Sequence, residues 1–339
     1  MNRTHLLSLV SALTLALTAG AASAAPGASG LKLASQIAGA DGGWDYASFD
    51  PARRRLYVAH GDKVMTVDVA TGKVNPAFAP GVRLHAAMAV PGTALVLTTN
   101  GGDSTAKLFK AATGKLVASI PTGKDADAAV YDPASGLVLV ICGEPGEITL
   151  INPKTAKAVG SIKVGGALEF AAVDGKGRAY VNMEEAAKIA VIDINKRTVV
   201  GRYDLTDCVA PTGLALTADG RLISACSNGR AKILDAATGK ELASYKIGAR
   251  PDAVLLDEAR GFAYIPSAMS GDMAVIALTG DKANTIIDTV PTALGARTGA
   301  VDLKTGRVYL PTAEYNLPIP AGQRPTTKPG TFIVLVLGR

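Results

Sequence analysis

The sequence is poor in the side chains that most often carry catalytic chemistry. Its 339 residues include only three histidines, three cysteines and one tryptophan. It contains no H-x-H, H-E-x-x-H or C-x-x-C spacing, no G-x-S-x-G segment and no C-x-x-C-H segment. These absences exclude the common zinc motifs, the nucleophile elbow of many hydrolases and covalent haem attachment.

Aromatic residues and net charge are also low. The chain carries 35 Lys and Arg against 29 Asp and Glu, for a net charge of +6, and 5% of its residues are aromatic. Such a mild positive charge does not indicate a nucleic-acid partner, and few rings are available to stack on bases. With 48% hydrophobic residues the chain is apolar enough to bury a large core.

A long apolar run occurs at the N-terminus. Arg3 precedes an apolar segment that begins at Leu6, and the small residues Ala22-Ser23-Ala24 follow it. This arrangement predicts a signal peptide over residues 1–24 and a short linker over 25–30. Because the run is too short to span a bilayer, we expect no membrane span and a periplasmic or secreted protein.

The sequence is organised by an internal repeat. Strand-like segments that end in a turn recur every 41 or 42 residues. The equivalent positions are Asp68, Lys110, Asn152, Asp193, Asp235 and Ala277. Several turns contain Thr-Gly-Lys, but another strand follows and the first glycine of a phosphate-binding loop is missing. We therefore interpret these turns as β-turns with glycine at positive φ.

A second motif keeps the same period and sets the number of units at seven. Each unit is rich in β-formers, is bounded by turn residues and lacks helical periodicity. The motif segments are LYVAH (56–60), LVLTT (95–99), VLVIC (138–142), AYVNM (179–183), LISAC (222–226), AYIPS (263–267) and VYLPT (308–312). Four strands in a repeat of about 42 residues predict one propeller blade per unit.

The two ends of the chain predict how the ring closes. Residues 330–339 supply a third strand to the last unit but no fourth, whereas residues 31–39 resemble the fourth strand at 240–248. A strand donated by the N-terminus to the last blade would pair an otherwise exposed edge. We therefore predict an all-β fold, namely a single seven-bladed β-propeller with four-stranded blades over residues 31–339.

The second strands of several units resemble a known family. YVAH (57–60), YVNM (180–183), YIPS (264–267) and YLPT (309–312) stand where YVTN-repeat propellers carry their tetrapeptide. The Pro-rich segment before the C-terminal strand is similar to that of exported, YncE-like members. The resemblance covers essentially the whole predicted mature chain. It implies a propeller with a binding or scaffolding role, and it carries over no catalytic residues.

One polar residue per blade falls near the start of the predicted inner strand. These residues are Asp45, His85, Asp127, Glu169, Thr212, Asp252 and Arg297. Since the inner strands of a propeller converge on its axis, they predict a polar ring at the mouth of the central channel. We call that face of the propeller the top. The ring would suit a metal cation or a small polar ligand, and the alternative is that it only orders water.

The two histidines of the predicted mature chain, His60 and His85, both fall on the top face in adjacent blades. A transition-metal site would need such imidazoles together with a carboxylate or thiolate. Because no metal-binding spacing supports that hypothesis, we favour structural histidines and no cofactor. A divalent cation remains the less favoured alternative.

The three cysteines allow at most one intrachain disulfide. Cys208 and Cys226 both fall on the top side of the fifth blade, and an exported chain meets oxidising conditions. We therefore predict a Cys208–Cys226 disulfide, with Cys142 reduced and buried. No positioned base accompanies Cys142, so the sequence does not support a catalytic thiol.

Residues 313–330 are a long departure from the repeat. Four prolines should make this segment extended and stiff. Its place between the second and third strands of the last blade puts it over the top face. There it would either cover the channel mouth, with Tyr315, Arg324 and Lys328 offering contacts, or pack along the rim.

The opposite, bottom face carries a lysine in most of its turns. These residues are Lys73, Lys115, Lys157, Lys240 and Lys282. A basic ring could attract an anionic partner or nucleic acid. Because the same turns also carry Asp or Asn, we favour a solvated face.

The function that these observations favour is binding without catalysis. We expect an exported, monomeric propeller that binds a partner protein, an envelope component or a small polar ligand through its top face and channel mouth. The competing hypothesis is a metal-dependent hydrolase or lyase of the lactonase-like propeller type. It requires three or more of the four ring carboxylates, Asp45, Asp127, Glu169 and Asp252, to converge on a divalent cation. A third hypothesis is nucleic-acid binding through the basic face.

Overall fold

The computed structural model describes residues 28–319, 322–323 and 325–339. The predicted signal peptide over 1–24 lies outside the described residues, as does Arg324. The described chain forms 28 strands in seven four-stranded antiparallel sheets, with one short 3-10 turn at Glu258–Arg260. The prediction of an all-β, seven-bladed propeller is confirmed.

Strand β1 (Lys32–Ala38) belongs to the last blade, and the other blades follow in chain order. Blade 1 contains β2 (Ala47–Asp50), β3 (Arg55–His60), β4 (Lys63–Asp68) and β5 (Val74–Pro80). Blade 2 contains β6 (Leu84–Ala89), β7 (Leu95–Asn100), β8 (Thr105–Lys110) and β9 (Leu116–Pro121). Blade 3 contains β10 (Ala126–Asp132), β11 (Leu137–Cys142), β12 (Glu147–Asn152) and β13 (Lys157–Lys163).

The next three blades repeat this order, with the first strand innermost and the fourth outermost. Blade 4 contains β14 (Leu168–Val173), β15 (Arg178–Met183), β16 (Lys188–Asp193) and β17 (Thr198–Asp204). Blade 5 contains β18 (Pro211–Leu216), β19 (Arg221–Cys226), β20 (Arg230–Asp235) and β21 (Glu241–Lys246). Blade 6 contains β22 (Leu255–Asp257), β23 (Phe262–Ser267), β24 (Asp272–Ala277) and β25 (Ile286–Pro291).

Blade 7 joins the two ends of the chain. It contains β26 (Ala300–Asp302), β27 (Arg307–Thr312), β28 (Ile333–Gly338) and, at its outer edge, β1. Strand β1 pairs antiparallel with β28, from Lys32 opposite Gly338 to Ala38 opposite Ile333. The predicted closure by the N-terminal strand is therefore confirmed, and the edge of β28 is paired.

The burial of each strand follows from its place in the blade. The second and third strands are buried on both sides, because successive side chains point to opposite faces and a neighbouring blade covers each face. The fourth strands alternate or are largely exposed, as in β17. No helix of the described residues is long and apolar enough to cross a membrane.

The Thr-Gly-Lys turns on the bottom face have the predicted geometry. Gly72 and Gly239 have φ values of 73° and 74°. Their backbone N–H groups donate to the carbonyls of Asp68 and Asp235, each at 2.8 Å. A positive φ favours glycine at this position, so the recurring Gly serves the fold rather than phosphate binding.

Candidate functional site

Close polar contacts join five of the seven predicted ring residues at the channel mouth. His85 Nδ1 lies 2.7 Å from Asp45 Oδ2 and 3.3 Å from Asp127 Oδ1. Arg297 Nε donates to Asp252 Oδ2 at 2.9 Å, and Arg297 Nη2 lies 3.8 Å from Asp45 Oδ1. These five residues belong to five consecutive blades, so the contacts run around most of the ring.

Hydrogen bonds between neighbouring blades fix the inner strands where these residues start. The bonds run from Tyr46 N to His85 O at 3.0 Å, from Thr298 Oγ1 to Asp45 O at 2.7 Å, from Ala253 N to Arg297 O at 3.0 Å and from Asn182 Nδ2 to Thr212 O at 2.7 Å. They join blades 1 and 2, 7 and 1, 6 and 7, and 4 and 5. The ring side chains are therefore presented by a fixed frame.

The sixth ring residue, Glu169, is joined to the others by a tyrosine. Tyr46 donates its hydroxyl proton to Glu169 Oε2 at 3.2 Å, and its ring packs 5.1 Å from the ring of Phe170. Tyr46 comes from blade 1, whereas Glu169 and Phe170 come from blade 4 on the far side of the channel. The side chain of Tyr46 therefore reaches across the channel and fills part of it.

Sequence reasoning missed this contact although a signal was present. The position after each ring residue is aromatic only in Tyr46 and Phe170. In the other five blades it is small, namely Ala86, Ala128, Gly213, Ala253 and Thr298. Two aromatic rings among five small residues on converging strands indicate that an aromatic side chain crosses the central axis.

The carboxylates of the ring are held in an environment that disfavours their charge. Burial, with a contribution from Asp252, raises the pKa of Glu169 to about 8. Burial raises the pKa of Asp252 to about 6, although Arg297 opposes the shift. Burial and the nearby Glu169 raise the pKa of Asp127 well above its usual range. The mouth therefore has an excess of acidic groups that the guanidinium of Arg297 does not compensate.

The seventh ring residue, Thr212, has a different role. It is buried, and its hydroxyl donates to the carbonyl of Pro251 at 3.2 Å. This hydrogen bond ties blade 5 to blade 6. Thr212 thus contributes to the frame of the mouth rather than to its free polar groups.

The two histidines have separate surroundings. His60 is buried, its Nε2 lies 2.7 Å from the carbonyl oxygen of Ala40, and its ring packs 4.3 Å from that of Phe332. Within the described residues, the group able to hold a metal contains His85 with Asp45 and Asp127 and does not include His60. The structure therefore does not combine His60 and His85 in one site.

A third carboxylate, that of Asp125, faces His85 and was not among the predicted site residues. Asp125 Oδ1 lies 3.7 Å from His85 Nε2 and is also paired with Arg83. His85 Nε2 is buried and has no hydrogen-bond partner among the described residues. The signal in the sequence is the Asp-Ala-Asp segment at 125–127, in which only the second aspartate occupies the ring position.

The Pro-rich segment borders a cleft over the channel mouth. A cavity of about 650 Å³, which we call the mouth cleft, is lined by Gly43, Trp44, Arg297, Tyr315, Pro325, Thr326 and Thr327. The rings of Trp44 and Tyr315 stack with centroids 6.4 Å apart, and Arg297 lies 5.8 Å from the centroid of Trp44. Tyr315 and residues 325–327 therefore border the cleft that also contains the ring residue Arg297.

Lys328, another predicted contact residue of this segment, does not line the mouth cleft. Lys328 Nζ pairs with Glu314 Oε2 at 3.0 Å, within the segment itself. Tyr315 also forms a bridge with Thr327. The ion pair and the bridge hold Glu314 and Tyr315 against Thr327 and Lys328, and we call the described residues 313–319 and 325–330 the flap.

The cysteine pair that the sequence favours is able to form a disulfide. Cys208 and Cys226 are bonded with an S–S distance of 2.11 Å, and Cys142 is free and buried. Cys208 lies in the top-face loop between blades 4 and 5, and Cys226 ends β19. The disulfide therefore fixes a top-face loop to its own blade.

Exposed apolar side chains are distributed unequally between the two faces. Among the described residues, four large ones occupy top-face loops or the flap, namely Val82, Val209, Met269 and Leu317. One occupies a bottom-face turn, Leu303, and the remaining six lie on outermost strands. The top face therefore combines the mouth cleft with exposed apolar groups, whereas the bottom face presents lysine-containing turns.

Comparison with known sequences gives a family match. A family model described as outer membrane protein assembly factor BamB matches residues 102–324, which is more than half of the chain. No curated protein matches this chain.

Comparison with solved structures supports the fold. As many as 1790 chains match, so likeness to any one of them does not assign a function. This chain is similar to a chain of Kuenenia stuttgartiensis hydrazine synthase, with 16% identity, a TM-score of 0.71 and coverage of 79% of this chain and 92% of that one. It is also similar to a chain in the crystal structure of the mitotic checkpoint complex, with 8% identity, a TM-score of 0.72 and coverage of 91% and 95%.

Proposed function

Because the chain belongs to the family of the outer membrane protein assembly factor BamB, we propose that it is a non-enzymatic propeller that binds a partner protein through its top face. The partner would contact the exposed loops and insert a polar segment into the mouth cleft. Rigid blades would position these loops, as in other proteins whose binding residues lie on loops of a fixed scaffold.

The observation that carries this proposal is the unequal distribution of exposed apolar side chains. Val82, Val209, Met269 and Leu317 are exposed on the same face as the cleft that contains Trp44 and Arg297, whereas among the described bottom-face turns Leu303 is the one large apolar side chain that is exposed. Aromatic residues and arginine are enriched in the energetically important centres of protein interfaces. A partner surface that covers the cleft would bury these groups together.

One comparison supports a partner-binding role. The description of the matching family refers to assembly of outer membrane proteins. We further propose that the chain is an exported, YncE-like member of the YVTN-repeat propellers. The disulfide between Cys208 and Cys226 agrees with an oxidising compartment such as the periplasm. An envelope component or a small polar ligand remains an alternative occupant of the cleft.

The enzyme hypothesis is less well supported. It requires three or more of the four ring carboxylates to converge, but the described donor group holds two of them, Asp45 and Asp127, with His85. Glu169 is instead bonded to Tyr46, and Asp252 to Arg297. Nucleic-acid binding through the bottom face has no specific observation in its favour.

Site-specific photo-cross-linking in the native host would test the proposal. A photoreactive phenylalanine analogue would replace Thr326 in the mouth cleft or Val209 or Met269 on the top face. Matched variants would carry it at Leu303 or Lys157 on the bottom face. We expect a shared protein adduct from the top-face positions and none from the bottom-face positions. Adducts that are equally strong from both faces, or absent from all three top-face positions, would overturn the proposal.

A further inference from the structure

Three donor atoms at the channel mouth have the spacing that a metal ion requires. Typical zinc–nitrogen and zinc–oxygen bonds of about 2.0–2.2 Å place neighbouring donors roughly 3.0–3.4 Å apart. His85 Nδ1 lies 2.7 Å from Asp45 Oδ2 and 3.3 Å from Asp127 Oδ1. All three atoms lie within 4.8 Å of one another, so adjustments of the side chains would allow them to coordinate one ion.

The second ring nitrogen of His85, Nε2, gives separate support for a bound metal ion. Without an ion, Asp45 Oδ2 accepts a hydrogen bond from Nδ1, and the buried Nε2 has no hydrogen-bond partner among the described residues. If an ion occupied Nδ1, the neutral imidazole would carry its proton on Nε2. That proton would then face Asp125 Oδ1, which is 3.7 Å away. Bound ions commonly have this carboxylate–histidine–metal arrangement, in which the outer carboxylate orients the ring.

The charges around these atoms favour a cation. Within the described residues, Arg297 is shared between Asp252 and Asp45. The nearest ionic partner of Asp127 in this part of the chain is His85. Glu169 is bonded only to the neutral Tyr46. A divalent ion between Asp45 and Asp127 would supply positive charge beside two carboxylates whose guanidinium partner among the described residues is Arg297 alone, 3.8 Å from Asp45.

We propose that Asp45, His85 and Asp127 form a binding site for a divalent transition-metal ion, with Asp125 as a positioning residue. An imidazole nitrogen beside two carboxylate oxygens suits zinc, manganese, cobalt or nickel better than calcium or magnesium, which prefer oxygen ligands. Three protein ligands leave at least one coordination position for water or for a ligand in the channel. Ion binding needs no partner protein, so this proposal does not rest on the proposed function.

The test is a calorimetric titration of the tag-free full chain with zinc chloride after removal of metals by EDTA and dialysis. We expect one ion per chain with a dissociation constant in the micromolar range or below. His85→Gln and Asp127→Asn should weaken binding more than about 100-fold, and Asp125→Asn about tenfold, because loss of an outer carboxylate typically costs about 10–100-fold. His60→Gln is the matched control, and it should bind zinc like the wild type.

A spectroscopic measurement on the wild type keeps the test decisive if a variant fails to fold. Zinc should shift the imidazole NMR signals of a single histidine, and that shift should persist in His60→Gln. Cobalt should give a visible absorption band that EDTA removes. Absence of stoichiometric zinc binding, unshifted imidazole signals, or wild-type affinity in folded His85→Gln or Asp127→Asn would overturn the proposal.

Discussion

Acidic residues stand at both ends of the inner strands, but their surroundings differ between the bottom end and the top end. At the bottom end, five blades place an aspartate, namely Asp50, Asp132, Asp174, Asp257 and Asp302. At the top end, four blades place a carboxylate, namely Asp45, Asp127, Glu169 and Asp252. The bottom aspartates accept hydrogen bonds from their own turns or from arginines, whereas the top carboxylates crowd around one channel.

Asp302 and Glu169 show the contrast in terms of pKa. Burial alone would raise the pKa of Asp302, but hydrogen bonds from Arg54 and Thr305 outweigh it and lower the pKa to about 2. Burial and neighbouring carboxylates raise the pKa of Glu169 to about 8. The bottom aspartates therefore stabilise the fold. Burial of the top carboxylates costs free energy, which a bound ligand could offset.

The largest effect is expected from breaking a bottom-face pair. Arg54 forms a bidentate pair with Asp302, whose side chain is fully buried. Asp302→Asn should lower the free energy of unfolding by roughly 3–4 kcal/mol, because the buried carboxylate loses its charge-assisted hydrogen bonds with Arg54 and its hydrogen bond with Thr305. Chemical denaturation measures the loss.

Asp174→Asn is the matched control for this substitution. Asp174 occupies the same position in blade 4 but accepts hydrogen bonds only from the backbone N–H groups of Lys176 and Arg178. Its replacement should cost about 1 kcal/mol. Equal losses in the two variants would contradict the importance of the Arg54 pair.

The next effect concerns how the top face is held. Replacing both Cys208 and Cys226 with alanine should lower the free energy of unfolding by about 3 kcal/mol, because the disulfide closes a loop with a separation of 18 residues. Denaturation with and without reductant measures it. Reductant should destabilise the wild type by the same amount and leave the double variant unchanged, and any other pattern would show that the bond does not form.

A smaller effect should follow from removing one top-face carboxylate. Since its pKa is raised to about 8, Glu169 of the metal-free protein retains a proton that the unfolded chain releases. The stability that this proton contributes is complete below the unfolded-state pKa and is lost as the pH rises through about 8. Glu169→Gln should therefore gain stability relative to the wild type as the pH rises from 4.5 to about 8, and by about pH 9 the gain should be at least about 1 kcal/mol.

Thermal unfolding of both proteins between pH 4.5 and about pH 9 would measure how much stability Glu169→Gln gains relative to the wild type. The exposed Glu185 of the same blade offers the control. The stability of Glu185→Gln relative to the wild type should not change over that pH window. A Glu169→Gln variant that behaves like Glu185→Gln would show that Glu169 ionises normally.

The smallest effect is expected for the hydroxyl of Tyr46. Tyr46→Phe removes the hydrogen bond to Glu169 and should cost about 0.5 kcal/mol. Tyr57→Phe is a matched control, because the buried hydroxyl of Tyr57 has no partner among the described residues. Its removal should leave stability unchanged or raise it. A larger loss in Tyr57→Phe than in Tyr46→Phe would contradict the assigned role of Tyr46.

The fold could be predicted because it repeats. The 42-residue period counts the blades, and the unpaired last unit identifies the closing strand. The Cys208–Cys226 pair could be predicted because the repeat places both cysteines on the top side of the fifth blade. The seven ring positions also follow from the repeat, which locates their backbone.

What the ring side chains do could not be predicted, because it depends on distances across and around the channel. The contact between Tyr46 and Glu169 joins residues 123 positions apart and spans two opposite blades. The approach of Asp45 and Asp127 to one imidazole nitrogen depends on side-chain conformations that the period does not contain. Thr212 matches the ring pattern, yet its hydroxyl serves the backbone of the next blade.

The central claim is that the top carboxylates serve binding and the bottom aspartates serve the fold. The most direct test is to measure two quantities, unfolding free energy without metal and zinc affinity, in Asp302→Asn and Asp127→Asn. The account predicts that Asp302→Asn loses stability but keeps its zinc affinity, and that Asp127→Asn loses zinc affinity but keeps or gains stability. An Asp127→Asn variant that is as unstable as Asp302→Asn and binds zinc like the wild type would contradict it.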